Sequence, residues 1–294
     1  MILGTQESVA GGLHLAFGRL ARDRGEALQI FSKSSRQWAA PALTETAVTD
    51  FKSEREKLGG QALPVAAHAS YLINLAAPSE FIYQRSIAAL VDECERAERL
   101  GVDQVVVHPG AALDASVAVG MARVVAALKV VCGAMRGMRV RLLLEITAGQ
   151  GSCVGCSLEQ LAELLQKTGD TRLGVCLDTQ HMYAVGLDWT TPRGYEQVMK
   201  DVERLIGVSH VEAFHLNDSK KGLGLRVDRH ERIGDGIIGL APFGRLITDE
   251  RWAAIAGYLE TPPLANGEDS FGQGLERLRS LAKPIKKSAS RARP

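Results

Sequence analysis

Short apolar runs recur along the whole chain, separated by stretches in which apolar residues repeat with helical periodicity. This alternation is typical of repeated strand and helix units, and near-continuous apolar runs suit parallel strands that are covered on both faces. Eight units in one chain favour a (β/α)8 TIM barrel, with a doubly wound open sheet as the structural alternative. The runs are ILG near Ile2, ALQIF ending at Phe31, PVAAH ending at His68, QVVVH ending at His108, VRLLLE ending at Glu145, LGVCLD ending at Asp178, VEAFH ending at His215 and YLE ending at Glu260.

The clearest helix is predicted between Ser79 and Gly101. Ser79 is placed to cap its first turn, and Gly101 is placed to end it. The apolar residues between them are spaced to form one face, which we expect to pack on the sheet. These residues are Phe81, Ile82, Ile87, Leu90, Val91, Cys94, Ala97 and Leu100.

Length and composition fit a globular protein with a substantial core. The chain has 294 residues, of which 46% are hydrophobic and 23% charged. This length would suffice for two average domains, but an α/β barrel takes about 250 residues as a single unit. Because no linker rich in Pro, Gly or Ser divides the chain, we predict one TIM-barrel domain over residues 1–282.

Several features indicate a cytoplasmic protein. The first residues, MILGTQESVAGG, lack the basic region and the apolar core of a signal peptide. The longest apolar stretch, from Val117 to Met135, is interrupted by Arg123 and Lys129, so we expect no membrane span. Five scattered cysteines, an odd number, indicate a reducing compartment without disulfides.

Charge is distributed unevenly along the chain. Residues 283–294 contain five basic residues and no acidic one, whereas residues 1–282 contain 30 basic and 34 acidic residues, a net charge of −4. A negatively charged body is unusual for a protein that binds nucleic acid, although bound metal ions can reverse the sign locally. We expect the basic tail, residues 283–294, to be disordered.

Six of the eight apolar runs end in a side chain that can bind a metal ion. In a TIM barrel the carboxyl ends of the strands converge on one mouth, so residues far apart in sequence would surround a common point. The polar stretch from Leu216 to Gly236 is predicted to be a long loop that crosses this mouth. Together with the loop LDTQH it adds three candidates to the six. The nine candidate ligands are His68, His108, Glu145, Asp178, His181, His215, Asp228, His230 and Glu260.

The joint pattern of these nine residues points to a metal centre. A single histidine or carboxylate at a strand end more often makes a structural hydrogen bond or caps a helix. Here, however, five of the seven histidines occupy such positions. Nine nitrogen and oxygen ligands without a thiolate suffice for two or three metal ions and favour zinc, with manganese and iron as alternatives. Metal clusters of this kind are characteristic of enzymes that hydrolyse phosphate esters.

Cys153 and Cys156 form a CxxC within GSCVGC. Since neither a second cysteine pair nor a thioredoxin-like setting accompanies them, a redox or metal-binding role has little support. We interpret them as two ordinary cysteines of a loop or a helix start.

Several motifs resemble the endonuclease IV family of apurinic/apyrimidinic endonucleases, which repair DNA at abasic sites. The resemblance extends from Gly4 to about Pro262, and the motifs occur in the order of the family. They are HASYLINLA (68–76), HPG (108–110), AGQGS (148–152), GVCLDTQH (174–181), HLNDSK (215–220), RVDRH (226–230) and LETP (259–262).

The resemblance implies a TIM barrel that binds three zinc ions per chain. It also implies that Glu145 bridges two of these ions, and we expect Glu145, Asp178 and Glu260 to be the catalytic residues. Two positions depart from the motifs without being ligands: Gln6 replaces a usual histidine, and Gln180 replaces a usual cysteine. The three implied sites are formed by His68, His108 and Glu145, by Glu145, Asp178, His215 and Glu260, and by His181, Asp228 and His230.

Contacts with DNA follow from the same resemblance. SKSSRQW (32–38) is similar to the family loop after the second strand, and Arg36, Tyr71 and Leu72 match its DNA-wedging residues. Wedges offset the stacking that is lost when an abasic nucleotide swings out of the helix. From the residues alone, Tyr71 and Leu72 would instead be assigned to the core. The implied partner is double-stranded DNA with abasic sites, bound by a monomer without a protein partner.

The implied activity is hydrolysis of the phosphodiester 5′ to an abasic site in base excision repair, while an added 3′-phosphodiesterase activity stays open. The first alternative is a sugar isomerase or epimerase with a single metal ion, which would need only Glu145, Asp178, His215 and Glu260. The second is a lesion-binding protein with structural metals, in which closed, usually cysteine-containing zinc sites are expected. The five remaining ligands and the lack of thiolates favour the nuclease.

Overall fold

The computed structural model describes residues 1–282, so the basic tail 283–294 and its predicted disorder lie outside the described residues. Eight parallel strands form a closed barrel, and two further strands form a short hairpin. In chain order the strands are β1 (Ile2–Gln6), β2 (Leu28–Phe31), β3 (Val65–His68), β4 (Gln104–Val107), β5 (Arg141–Glu145), β6 (Leu173–Asp178), β7 (Val211–Leu216), β8 (Asp218–Ser219), β9 (His230–Glu231) and β10 (Ala256–Leu259).

The barrel closes because β1 pairs in parallel with both β2 and β10. Around the barrel the order is β1, β10, β7, β6, β5, β4, β3 and β2, which is the chain order of the strands apart from the β8–β9 hairpin. This arrangement confirms the predicted TIM barrel. It excludes the doubly wound sheet, because an open sheet would leave its two edge strands with one neighbour each.

Helices cover the outside of the barrel and connect successive strands. Three short 3-10 helices each lie between an α-helix and the next barrel strand. They are Gly60–Ala62, Val208–His210 and Glu250–Trp252. The α-helices are α1 (Leu15–Asp23), α2 (Glu45–Leu58), α3 (Glu80–Leu100), α4 (Val117–Ala134), α5 (Leu158–Thr168), α6 (Thr179–Ala184), α7 (Pro192–Leu205), α8 (Leu240–Thr248) and α9 (Phe271–Ala282).

The helix α3 has the predicted ends but not the whole predicted face. The Ser79 side chain accepts a hydrogen bond from the Ile82 N–H, and Gly101 ends the helix in the left-handed conformation. Phe81 was expected on the buried face, but it is 66% exposed, and the Arg85 guanidinium lies 5.3 Å from its ring centre. The prediction for Phe81 is wrong because this residue shares its side of the helix with Arg85 rather than with Ile87 and Leu90.

By length and composition alone, α4 could cross a membrane, even though it contains Arg123 and Lys129. In the fold it instead packs between α3 and α5 and buries Val124, Leu128 and Val131 in the main core. The Arg123 guanidinium donates to Glu80 on α3 at 2.8 Å. The helix is therefore part of the barrel wall.

The barrel interior has an apolar floor with a polar layer above it. Side chains along a strand alternate between its two faces, so the residue two positions after each floor residue also points inward, nearer the carboxyl end. The floor is a buried cluster that includes Ala27, Ala66, Val106, Leu143, Cys176, Ala213 and Tyr258. Two positions further on lie Gln29, His68, His108, Glu145, Asp178, His215 and Glu260, which we call the polar ring.

Candidate metal centre

The structure brings all six strand-end candidates into the polar ring, although they do not all occupy the last residue of a strand. Three of them end their strands. His215 lies one residue before the end of β7, whereas His108 and Glu260 directly follow β4 and β10. Alternation along the strands, rather than the exact strand end, therefore directs these side chains into the mouth.

Glu145 lies at the centre of the ring and is fully buried. Its Oε2 lies 3.2 Å from His68 Nε2 and 2.9 Å from His108 Nε2. Its Oε1 lies 3.0 Å from His215 Nδ1 and 3.1 Å from His181 Nδ1. Each carboxylate oxygen thus faces a different pair of imidazoles, which is the geometry that a bridging ligand requires.

A second group of ligands lies beside Glu145. His215 Nδ1 is 3.2 Å from Glu260 Oε2 and 3.9 Å from Asp178 Oδ2. Asn217, in the HLNDSK motif, hydrogen-bonds to both Asp178 and Glu260. Its amide donates to Asp178 Oδ2 at 2.6 Å, and its carbonyl accepts from the backbone N–H of Glu260 at 3.2 Å. Sequence reasoning assigned no role to Asn217, because an asparagine after a strand end is common in turns.

The third group is built around two buried imidazole nitrogens. His181 Nε2 and His230 Nε2 have no hydrogen-bond partner within residues 1–282, although both are buried. Asp228 lies against them, with its oxygens 3.5 Å from His181 Nε2 and 3.2 Å from His230 Nε2. Asp178 also approaches, with Oδ2 3.8 Å from His230 Nε2. A bound cation would satisfy these nitrogens, so the group fits a metal site.

The structure therefore brings together all nine predicted ligands. Within the described residues, eight of the nine, all except Asp228, fall into three groups whose ligand atoms lie within 4.8 Å of one another. The first two groups match the implied ones, and in the third Asp178 takes the place that the resemblance gives to Asp228. The groups are His68, His108 and Glu145, then Glu145, Asp178, His215 and Glu260, and finally Asp178, His181 and His230.

The polar stretch 216–236 is held in shape by one buried carboxylate. Asp218 accepts hydrogen bonds from the backbone N–H groups of Gly234, Gly236 and Ile238 at 2.9 to 3.1 Å. The predicted loop is also not wholly irregular, because β8 and β9 pair within it and place His230 opposite Ser219. A stretch that buries little apolar surface is thus ordered by hydrogen bonds instead.

The two departures from the family motifs have defined contacts. The Gln180 amide donates to the Val227 carbonyl at 2.9 Å, one residue before Asp228, while its own carbonyl is buried without a partner within residues 1–282. Gln6 accepts a hydrogen bond from Gln29 at 2.5 Å. Both glutamines therefore support ligands indirectly.

Electrostatics at the mouth favour cations. Burial alone would raise the pKa of Glu145, but the charges of His108 and His215 hold that pKa well below its usual range. Burial would lower the pKa of His181, yet Asp178 together with Asp228 and Glu145 holds it well above its usual value. The buried carboxylates thus favour the protonated form of His181, and a divalent ion that binds there would displace that proton.

Of the predicted DNA-contacting residues, Tyr71 lies beside the candidate ligands. Tyr71 is 59% exposed, and its ring centre lies 5.4 Å from those of His68 and Phe31. Arg36 is exposed and Leu72 is half-buried. The alternative assignment of Tyr71 to the core is therefore wrong, because its ring covers the ligands from the solvent side.

A cavity of about 210 Å³ opens beside the candidate ligands. His108, His181 and Asp228 line it, together with Tyr71 and Cys153. Cys153 and Cys156 are both free thiols, the first in the loop after β5 and the second just before α5, as expected for ordinary cysteines.

Known proteins of similar sequence and structure share this architecture. The AP endonuclease 2 family, described as "Xylose isomerase-like TIM barrel", matches residues 19–281. "Probable endonuclease 4" of Chloroflexus aurantiacus is 41% identical over 281 residues, which cover 95% of this chain and 97% of that protein. The crystal structure of endonuclease IV from Thermus thermophilus aligns with a TM-score of 0.82 at 37% identity, over 96% of this chain and 98% of that one.

Sugar epimerases share the fold at a much lower identity. The 3-keto-D-glucoside 4-epimerase from E. coli aligns with a TM-score of 0.70 at 14% identity, over 95% of this chain and 99% of that one. Such a likeness reports the barrel alone. The matches at high identity, together with a mouth that gathers nine potential ligands, decide the assignment: the chain belongs to the endonuclease IV family of apurinic/apyrimidinic endonucleases.

Proposed function

We propose that this protein hydrolyses the phosphodiester 5′ to abasic sites in double-stranded DNA, with three zinc ions held at the barrel mouth. The observation that carries the proposal is the contiguity of the three ligand groups, which share Glu145 and Asp178. A sugar epimerase with one metal ion would use a single group and would have no need for His181 and His230. Contiguous metal sites suit phosphate esters, where attacking and leaving oxygens both need stabilisation.

The residues of the chain position the substrate and the ions. Bound divalent ions supply Lewis acidity, since they lower the pKa of water and neutralise charge on the phosphate. Glu145 joins the first two groups, and its burial keeps both carboxylate oxygens directed at imidazoles rather than at solvent. Asp178 and Glu260 are fixed by Asn217, so the catalytic carboxylates enter the reaction already oriented.

The surroundings of the centre suit a nucleotide without a base. The cavity beside His108 and Asp228 is small, and the Tyr71 ring overhangs it. We assign to Arg36, Tyr71 and Leu72 the filling of the gap that a displaced abasic nucleotide leaves in the duplex. Three Zn²⁺ ions would turn the net charge of residues 1–282 from −4 to +2 and concentrate positive charge where the phosphates lie.

The experiment is incision of a 5′-labelled duplex that carries one tetrahydrofuran residue. This abasic analogue has no aldehyde, so it resists β-elimination and reports hydrolysis alone. The zinc-loaded protein should cut 5′ to the analogue and leave a 3′-hydroxyl that a DNA polymerase extends without further treatment. An undamaged duplex of the same sequence is the control and should stay intact. Failure to cut the damaged duplex would contradict the proposal.

The epimerase alternative is tested with the same preparation. Incubation with ketohexoses and analysis of the sugars by chromatography should show no new epimer. A preparation that epimerises a ketohexose and leaves abasic DNA intact would replace the nuclease assignment with the alternative.

We also propose a 3′-phosphodiesterase activity at the same site. The bond that is broken in a 3′-phosphoglycolate end is again a phosphate ester next to a sugar 3′ oxygen, so the same ligand groups would serve. Release of the whole phosphoglycolate from a nicked duplex leaves a 3′-hydroxyl, and primer extension from that end measures the activity. An intact 3′ block under conditions that fully incise abasic DNA would exclude this second activity.

A further inference from the structure

Gln29 is the one member of the polar ring outside the nine candidate ligands. It lies in the middle of β2 and is fully buried. Its carbonyl oxygen lies 3.0 Å from His215 Nε2, and its amide nitrogen donates to Glu260 Oε1 at 2.7 Å and to Gln6 Oε1 at 2.5 Å. Both amide hydrogens and one carbonyl lone pair therefore have partners.

These contacts determine which atoms of two ligands face the metal site. Since the Gln29 carbonyl can only accept, His215 must carry a hydrogen on Nε2. Nδ1, which lies 3.0 Å from Glu145 Oε1 and 3.2 Å from Glu260 Oε2, is then the nitrogen that can bind a cation. Glu260 Oε1 accepts from Gln29, so Oε2 is the oxygen that remains for a cation. One side chain thus orients two ligands of the same group.

Gln6 and Glu260 both oppose a 180° rotation of the Gln29 side-chain amide. If the amide rotated by 180°, its carbonyl would face the acceptors Gln6 Oε1 and Glu260 Oε1, and its NH₂ would face the His215 N–H. In all three contacts, an acceptor would then face an acceptor or a donor would face a donor. Because the groups are buried, each lost hydrogen bond would be costly. The acceptors on Glu260 and Gln6 therefore define the orientation of Gln29 together, and Gln6 is the one of the two that is not a candidate ligand.

Two other histidines of the centre, His68 and His181, are oriented differently. His68 Nδ1 contacts the Ala69 carbonyl at 2.7 Å, and His181 Nδ1 contacts the Ile146 carbonyl at 2.8 Å. Backbone carbonyls stay in place when a side chain is changed, whereas the partner of His215 is itself a side chain. The group of Glu145, Asp178, His215 and Glu260 should therefore respond to mutation of Gln29 while the other two groups do not.

We propose that Gln29 is a positioning residue that selectively raises metal affinity at the site of His215 and Glu260. Gln6 keeps the Gln29 amide in the required orientation. The inference rests on the proposed function only in requiring that this group binds a divalent ion. It gives a role to the departure at position 6: glutamine, like the histidine usual in the family motif, can present an acceptor to the Gln29 amide.

The test measures how many Zn²⁺ ions each variant retains, by native mass spectrometry along a titration with a chelator. Gln29→Met keeps the length of the side chain but neither donates nor accepts a strong hydrogen bond. Gln6→Met removes this acceptor from a half-buried position and perturbs folding less. Gln6→His restores an acceptor. The matched control is Gln104→Met. Gln104 begins β4 at the end of the barrel away from the mouth, and its amide donates to the Glu212 carbonyl rather than to a candidate ligand.

We expect Gln29→Met to lose one of three ions at a chelator concentration about 10- to 100-fold lower than the unmodified protein, with the other two ions retained. Gln6→Met should show a smaller loss of the same ion, whereas Gln6→His and Gln104→Met should match the unmodified protein. Steady-state incision should show a lower kcat with an unchanged KM for abasic DNA, because the DNA-contacting residues are untouched.

Equal retention of all three ions in Gln29→Met and Gln6→Met would overturn the inference, and so would an equal loss of all three ions. In both cases the unmodified protein would still bind three ions and cut DNA, so the proposed function would stand. An unmodified protein that takes up no Zn²⁺ at all would overturn the proposed function together with the inference.

Discussion

Replacement of Glu145 by glutamine is the most informative single change. The variant keeps the size of the side chain and one oxygen but places an NH₂ group where the other oxygen lies. Whichever way the amide turns, that NH₂ faces two imidazoles, either His68 and His108 or His181 and His215, at the present distances of 2.9 to 3.2 Å. The amide nitrogen cannot bind a cation, and the remaining carbonyl oxygen carries no charge, so Glu145→Gln should weaken both metal groups that share this residue.

The size of the effect follows from the burial of this carboxylate. Removal of one partner from a buried set of charges costs about 3–5 kcal/mol. At about 1.4 kcal/mol per factor of ten, metal affinity should fall by roughly 10²- to several 10³-fold at the group that meets the NH₂, and turnover on abasic DNA should fall at least as far. DNA binding should persist, because Arg36 and Tyr71 lie outside the groups.

The assays are metal analysis, incision kinetics and fluorescence anisotropy with abasic duplex. Glu7→Gln is the matched control, because Glu7 is a second buried glutamate near a strand end, but its carboxylate accepts from the Thr5 hydroxyl at 2.6 Å rather than contacting histidines. It should cleave and bind like the unmodified protein. Incision by Glu145→Gln within about threefold of the unmodified rate would refute the reasoning, since that is far less than the expected 10²-fold loss.

The remaining predictions concern stability and DNA affinity. Burial raises the pKa of Glu7 from 4.5 to about 7, so the folded protein holds a proton that the unfolded chain releases, and stability should fall by up to about 3 kcal/mol as the pH rises from about 4.5 to 7. In urea unfolding at pH 5 and pH 8, the free energy of unfolding of Glu7→Gln should not show this decrease. An equal decrease in Glu7→Gln and in the unmodified protein would contradict the prediction. Asp218→Asn should destabilise the stretch 216–236 by about 1–3 kcal/mol, which hydrogen exchange measures. It should also release the ion at His181 before the other ions, which metal analysis measures. An unchanged exchange rate of the Gly234 amide would contradict the prediction. Removal of residues 283–294 should preserve metal content but reduce the slope of log affinity for DNA against log salt, by about 0.9 for each lost phosphate contact, whereas an identical slope would show that the tail does not touch DNA.

The fold was predictable from the sequence because its pattern is strong and repeated. Eight apolar runs at regular intervals leave few arrangements other than a closed barrel, and the ends of α3 are marked by Ser79 and Gly101. The face of α3 was less predictable, as Phe81 shows. A single aromatic residue near a helix start can lie on either side of the apolar stripe, and only the packing of neighbouring helices decides which.

The convergence of the candidate ligands was predictable because six of the eight apolar runs end in a histidine or a carboxylate, and the ends of barrel strands meet at one mouth. Their supports were not, since Asn217, Asp218 and Gln29 are residue types that occur at turns and in strands for many reasons. For Gln29 one signal was present: a polar residue stands at an inward position of the apolar strand LQIF, two residues after Ala27. Its role depends on contacts with residues far away in sequence, at positions 6, 215 and 260, which no local pattern reveals.

The central claim is that one barrel mouth holds three metal ions for phosphodiester hydrolysis, and the number of metal ions per folded chain tests it most directly. Native mass spectrometry of the purified protein after equilibration with Zn²⁺ and removal of loosely bound ions should give a mass that corresponds to three zinc ions per chain. A protein that saturates with a single ion, bound by the group that contains His215 and Glu260, would contradict the account and would favour the epimerase type of site.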